Sequence, residues 1–105
     1  IKKIFSGNKI TFCYCISAYP LKFEKINWSD IVEYEGFSDH TMGIIAPIIF
    51  AIMKKERSAK NILIEKHVKL RESKGPDATT SIDTDELAEM VKQINIIKHM
   101  RWKIE

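Results

Sequence analysis

The chain has 105 residues, of which 45% are hydrophobic and 30% are charged, and its formal net charge is +3. This composition excludes disorder along the whole chain, because disorder requires low hydrophobicity and a large net charge. The length allows one domain at most, so residues 1–105 are either a single small domain or a fragment of a larger protein, and the start at Ile1 favours a fragment.

The first residues are typical of a β-hairpin. Ile1–Phe5 is a short mixed strand, Ser6–Asn8 has turn chemistry, and Ile10–Ile16 is rich in β-branched and aromatic residues. Within the second strand Cys13 and Cys15 lie on one face, at a spacing that is awkward for a disulfide. Two reduced thiols predict an intracellular protein, with the nucleus as one location.

Two helices are expected next. Asn27 or Ser29 can cap a short helix over Trp28–Glu35, and Gly36 would end it. The stretch Met42–Lys55 is almost continuously apolar. It therefore predicts a central helix that is covered by protein on all sides.

The start and the length of the central helix are open at this stage. Ser38 or Asp39 could cap it, and Pro47 either kinks it or lies in the first turn of a helix that restarts there. Helix could then run over residues 48–71, because no glycine or proline interrupts them. A break near Ser58, which could cap a second helix, is the alternative.

The last part of the chain predicts a flexible loop at residues 73–81 and then a helix. Asp83 and Glu86 form a capping pair at the start of that helix. The apolar stripe of the helix consists of Leu87, Met90, Ile94, Ile97 and Ile104. The predicted fold is α+β and mainly helical: a short N-terminal β-hairpin followed by three or four helices, with a buried central helix.

The sequence offers little for catalysis, metal binding or membrane insertion. The apolar run Met42–Met53 has twelve residues, whereas a membrane span needs about 20. The cysteines are one residue apart and the three histidines are isolated, so no metal site is predicted. No Gly-rich phosphate loop and no Ser–His or Cys–His pair is evident. We therefore expect no cofactor, and an enzyme acting alone is improbable, although a fragment of an enzyme stays open.

Positive charge is concentrated directly after the apolar stretch. Residues 54–74 hold eight basic and three acidic residues, a net charge of +5. Basic side chains along a helix can neutralise phosphates, which predicts nucleic-acid binding. The alternative is a solvated helix face, paired in part with Glu56, Glu65 and Glu72. The candidate nucleic-acid-binding residues are Lys54, Lys55, Arg57, Lys60, Lys69 and Arg71.

Four segments of residues 27–69 share their order and rough spacing with a known family. They are Asn27–Val32, Phe37–Ser38, Lys54–Ser58 and Ile62–Lys69. This pattern resembles the divergent HMG boxes of the UBF (nucleolar transcription factor) type and, more distantly, Myb/SANT repeats. HMG boxes are small helical DNA-binding modules, so the resemblance implies DNA contact through the basic helices.

These observations predict a non-enzymatic binding module within a larger assembly. It would contact nucleic acid through residues 54–74 and a protein partner through the central helix. A protein–protein scaffold without nucleic-acid contact is the alternative. A fragment of a larger enzyme, such as a viral replication protein, is the third hypothesis.

Overall fold

Short strands alternate with helices along the chain. The computed structural model describes residues 6–18, 20–70, 75, 78 and 80–102. In chain order the elements are β1 (Cys13–Cys15), a 3-10 helix (Phe23–Lys25), α1 (Trp28–Ile31), β2 (Gly36–Asp39), α2 (Ile45–Glu56), β3 (Leu63–Lys66) and α3 (Thr84–His99).

The three strands form one parallel sheet in the order β1-β2-β3. Tyr14 pairs with Phe37, and Phe37 pairs with Ile64. Parallel neighbours cannot be joined by a tight turn, so α1 lies in the crossover from β1 to β2 and α2 in the next one. The predicted strand Ile10–Ile16 is present in part as β1, which pairs with the parallel strand β2. The other predicted hairpin strand, Ile1–Phe5, lies outside the described residues.

The apolar core lies on one side of this sheet. Tyr14, Phe37 and Ile64 form a row across the three strands and pack into the core cluster. Phe37 and Phe50 of α2 are fully buried, and their ring centroids are 5.5 Å apart. Burying one such side chain contributes about 1.5–3 kcal/mol, so this contact holds α2 against the sheet. The cluster is completed by Leu21, Ile26, Ile31 and Ala46.

Helix α2 begins at Ile45, so Pro47 lies in its first turn, as one of the two predictions stated. Proline is tolerated there because the first N–H groups of a helix have no acceptor within it. The prediction that protein covers this helix on all sides is wrong. Met42 and Ile45 are 55% and 52% exposed, and only one face is buried, formed by Ala46, Pro47, Phe50, Ala51 and Lys54. None of the helices in the described part of the chain is long and apolar enough to cross a membrane.

The predicted helix over residues 48–71 is interrupted after Glu56. Ser58 has a φ of 58°, a left-handed backbone conformation that cannot continue a right-handed helix. The alternative break near Ser58 is thus confirmed, but strand β3 follows instead of a second helix. Ile64 alternates there with Glu65, so one faces the core and the other faces away from it.

Two helix caps agree with the sequence. The Asn27 side chain accepts a hydrogen bond from the Asp30 backbone N–H, although α1 ends at Ile31 and is shorter than predicted. Asp83 and Glu86 form a reciprocal capping box at the start of α3. The flexible loop at residues 73–81 stays a prediction, because only part of that range is described.

The mainly helical fold class is wrong, because the chain alternates strands and helices around a parallel sheet. The strands are three or four residues long, too short to show a repeating pattern of polar and apolar residues. In β2, Ser38 and Asp39 resemble helix-capping residues, yet both are buried strand residues.

Candidate functional site

The carboxyl ends of the three strands bring polar side chains to one edge of the sheet. Cys15 ends β1, Asp39 ends β2 and is followed by His40, and Lys66 ends β3 and is followed by His67. In open parallel sheets, ligands bind outside the carboxyl ends of the strands. We call these residues the carboxyl edge and treat it as the candidate site.

A buried ion pair joins β2 and β3 at this edge. Lys66 Nζ lies 2.8 Å from Asp39 Oδ2, and the two side chains are 1% and 0% exposed. The other carboxylate oxygen, Asp39 Oδ1, accepts hydrogen bonds from the backbone N–H and the hydroxyl of Thr41, at 2.9 and 2.8 Å. Lys66 also donates to the Thr41 carbonyl. Together these bonds fix the turn that contains His40.

The His40 ring is held in one orientation. Its Nδ1 lies 2.8 Å from the carbonyl oxygen of Ile16. A carbonyl can only accept, so Nδ1 donates the proton and the lone pair of the neutral ring is at Nε2. Cys15 Sγ is 3.8 Å from Nδ1, and the His67 ring centroid is 5.8 Å from that of His40. The His40 carbonyl accepts from the Leu21 N–H at 3.0 Å, which ties the turn to the segment after β1.

The side of the sheet opposite the core is polar near this edge. Cys15, Ser38 and Glu65 form a row across the three strands, next to the row that faces the core. The Ser38 hydroxyl donates to Glu65 Oε1 at 2.7 Å. This polar face therefore presents a hydroxyl and a carboxylate beside the His40 ring.

Cys13 lies two residues before Cys15, on the same face of the sheet but further from the carboxyl edge. Three effects raise the pKa of the Cys13 thiol. The largest is burial, followed by the negative charge of Glu65 and then by the neighbouring Cys15. A thiol with a raised pKa stays protonated at neutral pH and is a poor nucleophile. Both cysteines are free thiols, as the sequence predicted.

The arrangement suits polar ligands and proton transfer. An imidazole lone pair, a carboxylate and a hydroxyl lie within one small region, and these groups can bind hydroxyls or exchange protons. No set of three or more His, Cys, Asp or Glu side chains in the described ranges is placed to hold a metal ion. The expected absence of a metal and of a cofactor stays a prediction.

Three of the predicted basic residues lie away from this edge, around the end of α2 and the segment before β3. Lys54 is buried, and its Nζ donates to the Val32 carbonyl at 3.0 Å. It therefore does not face outward, as the predicted basic surface over residues 54–74 required. Lys55 Nζ donates to the Lys98 carbonyl at 2.6 Å. Lys60 is exposed and lines a cleft beside these two lysines.

The remaining basic candidates are not part of that cleft. Arg57 forms an exposed ion pair with Glu33 at 2.8 Å, and Lys69 Nζ donates to the Ala78 carbonyl at 2.7 Å. Arg71 lies outside the described residues. The five described candidates therefore do not form one continuous basic surface.

Sequence reasoning did not identify the carboxyl edge as a candidate site. Asp39 was a candidate helix cap, and Lys66 fell within the helix predicted over residues 48–71. A usable signal was present, because the same order of residues occurs twice. In β2 and in β3 an apolar residue, Phe37 or Ile64, is followed by two polar residues and then by a histidine.

Comparison with known proteins decides the family. The sequence matches the NeuB family profile over residues 3–104. The chain belongs to the NeuB family. It is 34% identical over 99 residues to the uncharacterized protein MJ1065 of Methanocaldococcus jannaschii, and this alignment covers 87% of this chain and 28% of the relative. It is 33% identical over 98 residues to human N-acetylneuraminate-9-phosphate synthase, and this alignment covers 83% of this chain and 26% of the relative.

The fold agrees with this family. A crystal structure of N-acetylneuraminic acid (sialic acid) synthetase from Leptospira borgpetersenii superposes with a TM-score of 0.67 at 27% identity. The superposition covers 89% of this chain and 35% of that protein. This NeuB-family chain thus spans between a quarter and about a third of the length of the relatives it matches.

Family membership corrects several predictions. The resemblance to HMG boxes and Myb/SANT repeats is wrong, because two of its four segments lie partly in strands β2 and β3 instead of helices. The predicted nucleic-acid-binding module and the predicted partners are wrong as well, because the relatives with an assigned activity are synthases of small molecules. The sequence left a fragment of an enzyme open, and the matched relatives with a stated activity are enzymes. The intracellular location stays a prediction.

Proposed function

We propose that this chain contributes part of the active site of a synthase that forms N-acetylneuraminic acid or a closely related acid. The proposal is supported by the NeuB family match and by the names of the human and Leptospira relatives. The observation that carries it is the oriented His40 ring at the carboxyl ends of three parallel strands.

His40 is the catalytic residue of this proposal. Its Nδ1–H donates to the Ile16 carbonyl, so Nε2 carries the lone pair that can accept a proton or a cation. The turn around His40 is held by the Asp39–Lys66 ion pair, which makes Asp39 and Lys66 positioning residues. Such a fixed ring loses little freedom when the substrate binds.

Ser38 and Glu65 are the substrate-binding groups. Their side chains already form a hydrogen bond to each other on the polar face, at 2.7 Å. A carboxylate paired with a hydroxyl is a common way to hold the hydroxyl groups of a polar substrate.

Product formation in cells tests this function. The intact protein is expressed in a bacterial strain that lacks its own sialic acid synthase, and N-acetylneuraminic acid is measured by mass spectrometry. We expect the product with the natural protein and about a hundredfold less, or lower still, with His40→Asn, the loss typical of a removed proton-transfer group. His99→Asn is the matched control, because His99 is exposed on α3 and its described hydrogen bond is to the Asn95 carbonyl of its own helix.

Two results would refute the proposal. One is a well-folded natural protein that yields no such acid. The other is a His40→Asn variant that accumulates as much product as His99→Asn.

A further inference from the structure

A cleft with four lysines lies between the second halves of α2 and α3. Its volume is about 330 Å³, and it is closed on one side by residues that precede β3. The ten described residues that line it include four lysines and no acidic residue. We call it the lysine cleft and define it by Lys54, Lys55, Lys60 and Lys98.

The lysines of this cleft are only partly satisfied by the protein. Lys54 is 8% exposed, and its ammonium group donates to one backbone carbonyl, that of Val32. Lys55 donates to the backbone carbonyl of Lys98. Each ammonium has three N–H donors. Among the residues that the structure describes, no carboxylate forms an ion pair with a lysine of the cleft.

The helix ends near the cleft offset only a fraction of the positive charge of its lysines. The C-terminal ends of α2 and α3 lie near the cleft, and each helix end carries roughly half a negative charge. The ammonium groups of Lys54 and Lys55 are bonded to backbone carbonyls, and no described ion pair involves Lys60 or Lys98, so positive charge remains in excess at the cleft. The floor of the cleft is apolar and contains Ile62, Ile94 and Ile97.

We propose that the lysine cleft binds a small organic phosphate. Lysine ammonium groups bind phosphate as point charges, and the isoleucine floor accommodates an apolar part of the same molecule. The volume lies at the lower end of the range for small-molecule sites.

The lysine cleft is separate from the carboxyl edge. Lys60 precedes β3 while Lys66 ends it, so the two sites lie at opposite ends of this strand. Four strand residues span about 13 Å. The inference therefore does not depend on the proposed synthase activity.

Calorimetric titration of the intact protein tests this site. The probes are phenyl phosphate and inorganic phosphate, and the variants are Lys60→Gln and Lys98→Gln. We expect phenyl phosphate to bind more tightly than inorganic phosphate, and each substitution to weaken its binding about five- to tenfold. Lys98→Gln leaves the backbone carbonyl that Lys55 uses, and thermal melts check that both variants stay folded.

Lys92→Gln is the matched control, because Lys92 is on the same helix but outside the cleft. Unchanged affinity in this variant supports the proposal. The proposal is overturned if phenyl phosphate does not bind at 10 mM, if both cleft variants bind as the natural protein does, or if Lys92→Gln weakens binding equally. Equal affinity for the two probes overturns the assignment of an organic ligand.

Discussion

Two ion pairs in the described part of the chain have the same length but opposite burial, which allows a direct comparison. Lys66–Asp39 and Arg57–Glu33 both measure 2.8 Å between nitrogen and oxygen. The side chains of the first pair are 1% and 0% exposed, and those of the second are 52% and 64% exposed. Removing one member of each pair should therefore have very different costs.

Lys66→Met leaves the Asp39 carboxylate buried, with only its two hydrogen bonds from Thr41. Breaking a buried pair in this way costs about 3–5 kcal/mol of unfolding free energy. Arg57→Gln should cost less than about 1 kcal/mol, because water screens an exposed pair. Adding Asp39→Asn to Lys66→Met removes the buried charge and keeps an oxygen for Thr41. The double variant should thus be more stable than Lys66→Met alone.

Urea unfolding of the intact protein, followed by circular dichroism, measures these differences. With a slope of about 1.5 kcal/mol per molar urea, the Lys66→Met loss lowers the midpoint by roughly 2–3 M. Arg57→Gln should lower it by well under 1 M.

Two outcomes would contradict this reasoning. In the first, Lys66→Met and Arg57→Gln shift the midpoint equally, so burial does not set the cost. In the second, the double variant is less stable than Lys66→Met, so the charge left on Asp39 is not the cause of the loss.

Two further predictions concern the polar face. Gly36→Ala should destabilise the protein by about 1–3 kcal/mol, because a Cβ at Gly36 would collide with Cys13 Sγ, whereas Gly7→Ala meets nothing within 4 Å; equal urea midpoints for the two variants would refute this. The folded state raises the pKa of the Cys13 thiol above its usual value of 9.0. Above about pH 9 the unfolded chain therefore loses this proton more readily than the folded protein does, and the free energy of unfolding should fall as the pH rises. This alkaline loss should be smaller in Cys13→Ala than in Cys15→Ala, and identical pH profiles would exclude Cys13 as its source.

Local signals in the sequence predicted some of the helix ends. The Asp83–Glu86 capping box and the Asn27 cap depend on neighbouring residues only, and the structure contains both. Pro47 in a first turn and the break near Ser58 follow from backbone sterics, which are also local.

The sheet could not be predicted in the same way. Pairing of Cys13 with Gly36, and of Gly36 with Leu63, joins residues more than twenty positions apart. Each strand is too short to reveal its partner or its direction. The Asp39–Lys66 pair depends on that register. The candidate site was therefore hidden as long as β2 was interpreted as a helix stop and a helix cap, and β3 as part of a helix.

The described strands of this sheet have a consequence for handling the protein. In the described part of the chain β1 and β3 each pair with β2, and the backbone amides and carbonyls on their outer sides can accept a further strand. If residues 1–105 are produced alone, such rows recruit strands from other molecules, which leads to aggregation. Adding a strand beside β1 or β3, or a lysine along their outer margins, should therefore improve solubility more than any change in the core.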